Sequence, residues 1–275
     1  MRTKTLYRTI SFVNFIQLLD CKVEFYRNPL EWADSYEGCG LQLIDNELNR
    51  KQFLAVLSNQ YADSDHRIDA ILDNYVKAEV LRYCCFAQCW TRNKESSLIW
   101  DAYSYGNQAI QITSDAKRIN EVLSSNCIQS QIKEVVYDVN ASEENAFLKF
   151  YEKGMDFKDQ IFHKRMAFKD EEEYRVLFTD EKANMIFRTR LNTYRKALFE
   201  DKNNIDISKT IDDVYQNNPY KFSKTYSVHI DNPANYIKNV RVHPRAETWY
   251  VDLVKKICAD HGIAFGGQSN LYSKY

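Results

Sequence analysis

Glycine and proline are scarce, with 7 and 4 in 275 residues. That argues against a repeat array, a collagen-like segment or a long flexible linker, each of which needs one or both in bulk. A dominant charge sign is also lacking: 37 Lys and Arg face 38 Asp and Glu, for a formal net charge of −1. No overall pull toward nucleic acid or a membrane surface follows, although a local basic face stays open. No apolar run reaches the length of about 18 residues that a membrane span needs, so none is expected. The opening residues Met1 to Arg8 are basic, but the apolar positions after them are interrupted by Asn14, Gln17 and Asp20. An export signal is therefore not expected, and the expected location is cytoplasmic. The seven cysteines are odd in number and form no paired CxxC framework. They read as small buried hydrophobes in a reducing compartment. Cys85 and Cys89 with His66 or His261 lack the close cysteine pair and second ligand pair of a zinc site, and no metal is expected.

The length suffices to bury a sizeable core, and a single domain over residues 1–275 is expected. Its organising stretch is Leu81 to Ser114, which reads as strand, polar turn, amphipathic helix, a break at Gly106, then strand. If Glu95 to Tyr103 is helical, Ser96, Trp100 and Tyr103 fall on one face. Ala109 to Thr113 alternates apolar and polar as a half-buried strand does. An aromatic wall of this kind is a candidate floor for a site, and equally the usual content of a core.

Around it, Thr5 to Thr9 reads as a strand, and Ser11 can cap a helix carrying Phe12, Phe15, Ile16, Leu18 and Leu19. Cys21 to Tyr26 is a strand that ends at Asn28-Pro29. Helices are expected over Asp45 to Ala78 and Asp115 to Leu123, and a strand over Ile132 to Val139. A long amphipathic helix with Phe147, Phe150, Tyr151 and Phe157 follows. Met185 opens an apolar strand that runs into a basic stretch, and Asp201 to Asn218 is a polar excursion. Asn239 to Val242 is a strand, Glu247 to His261 a helix ended by Gly262, and Ile263 to Phe265 a short final strand. The pattern fits an α+β fold: a mixed or antiparallel split sheet with flanking helices.

Two regions carry candidate chemistry. Arg8 follows Tyr7 on the first strand, where a guanidinium can face solvent or a cleft. Lys164 and Arg165 precede the acidic run Asp170 to Glu173, and Tyr174-Arg175-Val176-Leu177-Phe178 is rich in strand formers. If the segment is extended, Glu171, Glu173 and Arg175 share a face, placing a carboxylate beside a cation for acid/base or electrostatic catalysis. The alternative is that the acids open a helix, favoured by its dipole, and are solvated.

Several of these segments, taken in order, resemble the bacterial family called domain of unknown function 2971. They are Leu6-Tyr7-Arg8, Asn28 to Glu37, Cys89-Trp90, Glu95-Ser96, Trp100 to Ser104, Lys164, Glu171 to Arg175, Val240 to Pro244 and Ser269. That resemblance implies no particular activity. The strand-borne Arg8, the aromatic helix-to-strand segment and the later Glu-x-Glu are also similar to ADP-ribosyltransferases, including toxins that modify DNA. That resemblance implies a split sheet binding NAD, as substrate, in a cleft. Arg8 would contact the diphosphate, Tyr103 and Tyr105 would border the nicotinamide, and Ser104 or Ser96 would stand for that family's serine. Glu173 would be the catalytic carboxylate, kept ionised by Arg175. No Ser-Thr-Ser triplet follows Gly106, so Ala109 to Thr113 would have to serve.

Three functions therefore compete. One is an NAD-consuming ADP-ribosyltransferase-like enzyme, a toxin or phage-defence effector that takes a nucleotide-type small molecule and has a protein or nucleic-acid acceptor. Another is a non-catalytic binding or signalling protein on the same scaffold. The third is a nucleic-acid-processing protein that uses Lys164, Arg165, Arg188, Arg190 and Arg195 on phosphates.

Overall fold

The computed structural model describes residues 4–34, 36–37, 82–140, 156–185 and 223–272, with isolated helical positions between 55 and 77 and at 189. Strand β1 (Thr5–Ile10) leads into helix α1 (Phe12–Asp20), whose N-cap Ser11 accepts from the Asn14 amide. Strand β2 (Val23–Arg27) ends at Asn28, whose side chain accepts from Leu30 N and starts a 3-10 turn over Pro29–Glu31. The central stretch forms β3 (Cys85–Thr91), α2 (Ser97–Ala102) and β4 (Ile110–Asp115), with Gly106 at positive φ between the last two. Asp115 then caps α3 (Ala116–Ser125).

The strand expected over Ile132 to Val139 is in fact two, β5 (Ser130–Glu134) and β6 (Val136–Val139). Val135 N donates to Glu173 O and Val136 N to Phe162 O, so the chain changes sheets at that point. Next come α4 (Phe157–Gln160), β7 (His163–Arg165), a 3-10 helix over Met166–Glu171, and β8 (Glu173–Thr179). The acids thus end a 3-10 helix and open a strand, and the reading in which they open a helix fails. Met185 closes a helical turn over residues 181–185 and does not open a strand. Asp180 caps that turn by accepting from the Lys182 and Ala183 amides, which overrides the local strand preference.

The remaining elements are β9 (Thr225–His229), α5 (Pro233–Tyr236), β10 (Asn239–Val242), α6 (Thr248–Asp260) and β11 (Phe265–Gln268). The last strand starts at Phe265, later than the expected Ile263, because Ile263 is spent on capping α6. Its amide bonds Cys258 O and the Gly262 amide bonds Ala259 O, with Gly262 left-handed at φ 65°, a Schellman motif. Most of Asp45 to Ala78, with Phe147, Phe150 and Tyr151 of the expected long helix and the excursion Asp201 to Asn218, lies outside the described residues.

The main sheet is mixed. Its strands run β11-β10-β4-β1-β3-β2-β9, with β8 and β5 continuing from β3, and only β10 and β11 pair in parallel. A separate parallel pair joins β6 to β7. β3 is paired along its whole length with β8, from Cys85↔Thr179 to Thr91↔Glu173. Its other edge is shared: β1 holds it at Tyr7↔Thr91 and β2 at Arg27↔Ala87. The sheet therefore forks beside β3, with β1 on one branch and β2 on the other.

Strand alternation divides the sheet into two unlike faces. Leu6, Ile10, Ile110, Ile112, Trp90, Val176, Phe178, Val240 and Val242 point to one side and form the core with α1, α3 and α6. Tyr7, Thr9, Cys89, Thr91, Glu173 and Arg175 point to the other. That polar side carries the cleft.

Candidate functional site

A cleft of about 630 Å³ opens on the polar side of the fork. β1 contributes Tyr7, Arg8 and Thr9, β3 contributes Cys89 to Thr91, and α2 contributes Leu98, Ile99 and Ala102, with Tyr103 just beyond it. Opposite them stand Trp32, Asp34 and Glu37 after the first 3-10 turn, then Lys164, Arg165, Phe168, Glu171 and Glu173. Tyr7, Arg8, Tyr103, Lys164, Glu171 and Glu173 thus share one concavity, and Arg175 lies directly behind it.

At the acidic end, buried charges are fully paired. Arg175, 0% exposed, donates from Nε to Glu173 Oε1 at 2.7 Å and from Nη2 to Glu37 Oε2 at 2.6 Å. Its Nη1 donates to Ile161 O, and its guanidinium stacks 4.3 Å from the Trp32 ring. Lys164 Nζ reaches Glu37 Oε1 at 2.9 Å, Glu171 Oε2 at 2.6 Å and Glu173 Oε2 at 3.0 Å. Three carboxylates therefore use all three ammonium protons. Burial alone would raise the Glu173 pKa, but Arg175 and Lys164 outweigh it and hold the carboxyl at about 2. For Glu37 the balance is reversed: burial pushes its carboxyl above the ordinary 4.5 despite the same two cations. Burial opposes the Lys164 ammonium, yet Glu173, Glu37 and Glu171 raise its pKa and keep it charged. Burial, reinforced by Glu173, lifts the Cys89 thiol well above 9, so it stays protonated and a poor nucleophile.

Arg8 lies in the fork. Alternation turns its side chain toward the core, where Nη1 meets Glu24 Oε2 at 2.8 Å, and the side chain is 19% exposed. Burial works against this guanidinium, but Glu24 outweighs it and raises the pKa. Arg8 borders the cleft as a paired charge, unlike the open cation expected from sequence.

Three expected site residues are elsewhere, and a fourth is displaced. Ser96 is the N-cap of α2, accepting from Ile99 N, and Trp100 is buried, edge-on to His243 at a centroid distance of 5.8 Å. Helix α2 turns its Leu98, Ile99 and Ala102 side to the cleft and its Trp100 side away. Glu95 fixes that orientation, accepting from Ser269 Oγ at 2.6 Å while paired with Arg241. Tyr105 is 93% exposed because Gly106 turns the chain outward, and Ser104 lies behind the helix end without lining the cleft. Of the proposed phosphate-contacting set, Lys164 is consumed by carboxylates and Arg165 by Asp34 at 3.0 Å. Arg188, Arg190 and Arg195 lie outside the described residues.

Sequence reasoning did not select Glu37, Trp32, Asp34, Glu24 or Cys89. The signal for the first three was the dense run of aromatic and acidic residues after Asn28-Pro29, whose distant cationic partners no spacing reveals.

The sequence profile of a family described as Protein of unknown function (DUF2971) matches residues 99–176. No curated protein matches, and no solved structure does. The matched span takes in Tyr103, Lys164, Glu171, Glu173 and Arg175, and over residues 99–176 the chain is similar to that family.

Proposed function

We propose that the cleft binds NAD as a substrate and that the protein breaks the bond between nicotinamide and ribose, as an ADP-ribosyltransferase-like enzyme. The observation that carries this reading is the meeting of β1, the α2 end and the β8 acids in one concavity of about 630 Å³, a size within the usual range for small-molecule sites. The aromatic edges of Tyr7 and Tyr103 suit a flat heterocycle. In the reaction, the bond from the pyridinium nitrogen to ribose C1′ breaks and its electron pair leaves with nicotinamide. Positive charge develops on the ribose, where the fixed negative end of the cleft stabilises it. Water or an acceptor nucleophile then bonds C1′ and releases a proton to solvent.

The chemistry of the neighbouring groups narrows the route. Cys89 is protonated and Lys164 is a saturated ammonium, so neither supports a covalent intermediate and an electrostatic role for carboxylates is favoured.

The test is to incubate purified protein with NAD and measure free nicotinamide by chromatography, with binding followed by calorimetry. Release that is lost in Tyr103→Ala supports the reading; neither binding nor release overturns it. One observation favours the binding-protein alternative: every charge at the acidic end already has a partner in the protein. Binding of NAD without nicotinamide release would select that alternative.

A further inference from the structure

We infer that Glu171, not Glu173, is the carboxylate that meets the ligand, and that Glu173 is a positioning residue one step behind it. The inference rests on reading the cleft as an NAD-type site.

The two acids of the Glu-x-Glu have unlike surroundings. Glu173 is 4% exposed at its side chain. Its Oε1 takes Arg175 Nε at 2.7 Å, and its Oε2 takes Lys164 Nζ at 3.0 Å and Arg175 Nη2 at 3.1 Å. A carboxylate has about four acceptor positions, so little of Glu173 remains for a ribose hydroxyl, and a ligand would first have to displace a buried cation. Glu37 is tied up in the same way, one oxygen on Lys164 and the other on Arg175. Glu171 lines the same cleft, is 29% exposed, and bonds Lys164 through Oε2 alone. Among the described residues its Oε1 has no partner, and that oxygen is available to a ligand hydroxyl.

Glu171 is also held in place, as a ligand-touching group must be. The Thr91 hydroxyl donates to its carbonyl and the Arg92 amide donates to Glu172 O, fixing the acidic turn to the end of β3. Glu172 is left-handed at φ 41°. This turn changes the chain from 3-10 helix to strand and brings both flanking acids to Lys164. Glu173 and Glu37 clamp that lysine from behind, and the lysine holds Glu171 at the cleft surface.

The test starts from the free wild-type protein, coupled with a water-soluble carbodiimide and glycinamide and mapped by fragment-ion sequencing. Glu171 is expected to couple while Glu173 and Glu37 stay protected; coupling of Glu173 as fast as Glu171 overturns the assignment. In the nicotinamide-release assay, Glu171→Gln is expected to lower kcat about 100-fold with KM and melting temperature nearly unchanged. Wild-type kcat in that variant also overturns it. The positioning role is read from acetylation of Lys164, which should quicken in Glu173→Gln but not in Val254→Ala, a core substitution away from the cleft. Equal rates in those two proteins reduce Glu173 to a structural residue. If the wild type releases no nicotinamide, the NAD reading falls, while the coupling pattern still decides between the two acids.

Discussion

Replacing Arg175 by methionine is the sharpest perturbation of the buried charge cluster. Methionine keeps much of the volume but donates nothing, so four hydrogen bonds to Glu173, Glu37 and Ile161 O disappear together. The contact with the Trp32 ring at 4.3 Å goes with them. Glu173 and Glu37, at 3% and 6% exposure, are then left with Lys164 as their remaining cation. Removing one partner of a buried ion pair costs roughly 3–5 kcal/mol, because the other is left buried and uncompensated. For a chain of this size each kcal/mol moves the melting temperature by about 2–4 °C, so Arg175→Met should melt roughly 10 °C lower. Denaturant unfolding at pH 7, with calorimetry in parallel, measures both quantities. The argument also predicts partial recovery in Arg175→Met, Glu173→Gln, Glu37→Gln, since neutral amides carry no stranded charge. A loss below about 1 kcal/mol in the single variant, or no recovery in the triple, would refute the view that these carboxylates depend on Arg175.

Three further outcomes follow from the same structure. Glu173 is depressed from an ordinary 4.5 to about 2, so the stability it contributes is complete above pH 4.5 and lost as pH falls toward 2, in total about 3 kcal/mol. Glu37 is shifted the other way and offsets part of this, because its raised pKa favours the folded state in acid. Urea midpoints between pH 2 and 7 should therefore fall less steeply in Glu173→Gln than in wild type, and parallel curves would contradict the assignment. Asn28→Ala should cost about 1–3 kcal/mol by denaturant unfolding, since this fully buried side chain donates to Arg82 O at 2.7 Å and accepts from Leu30 N at 3.0 Å. A cost within error of zero would mean that water replaces both bonds. Trp100→Ala should cost roughly 3–5 kcal/mol, because Trp100 is 1% exposed and holds α2 to the sheet; a loss under about 1 kcal/mol would show that α2 is anchored elsewhere.

Much of the fold was legible because its signals are local. Ser11, Asn28 and Asp115 each sit one residue before a helix or turn and accept from its free amides, and such caps need no knowledge of the partner strand. The strand at Asn239, the helix ended by Gly262 and the break at Gly106 were readable on the same grounds. The misses have a different origin. Val135 leaves its strand because Glu173 O, in a distant segment, accepts its amide. The β8 acids are extended because β3 pairs with them residue by residue. Neither contact can be inferred from the residues on either side of it.

The candidate site was only partly legible, and for a physical reason. In β8 the alternation is plain: Tyr174, Val176 and Phe178 turn to the apolar core, Glu173 and Arg175 the other way. A charged face on a strand normally looks into water, and for an antiparallel sheet that is the reasonable expectation. Here that side is roofed by the segments carrying Trp32, Glu37, Lys164 and Phe168, so its charges must be satisfied inside the protein. The partner that completes Arg175 is Glu37, 138 positions earlier in the chain. Periodicity reports which residues share a face, and says nothing about what covers it. Arg8 makes the same point from the opposite branch of the fork: its strand position was read correctly, but Glu24, which neutralises it, comes from the other branch. A carboxylate or guanidinium can thus be assigned to a site from sequence alone, whereas whether it is free to meet a ligand depends on distant partners. Glu173 and Arg8 are both engaged by such partners, and Glu171, with one oxygen unpaired among the described residues, is the acid left to act.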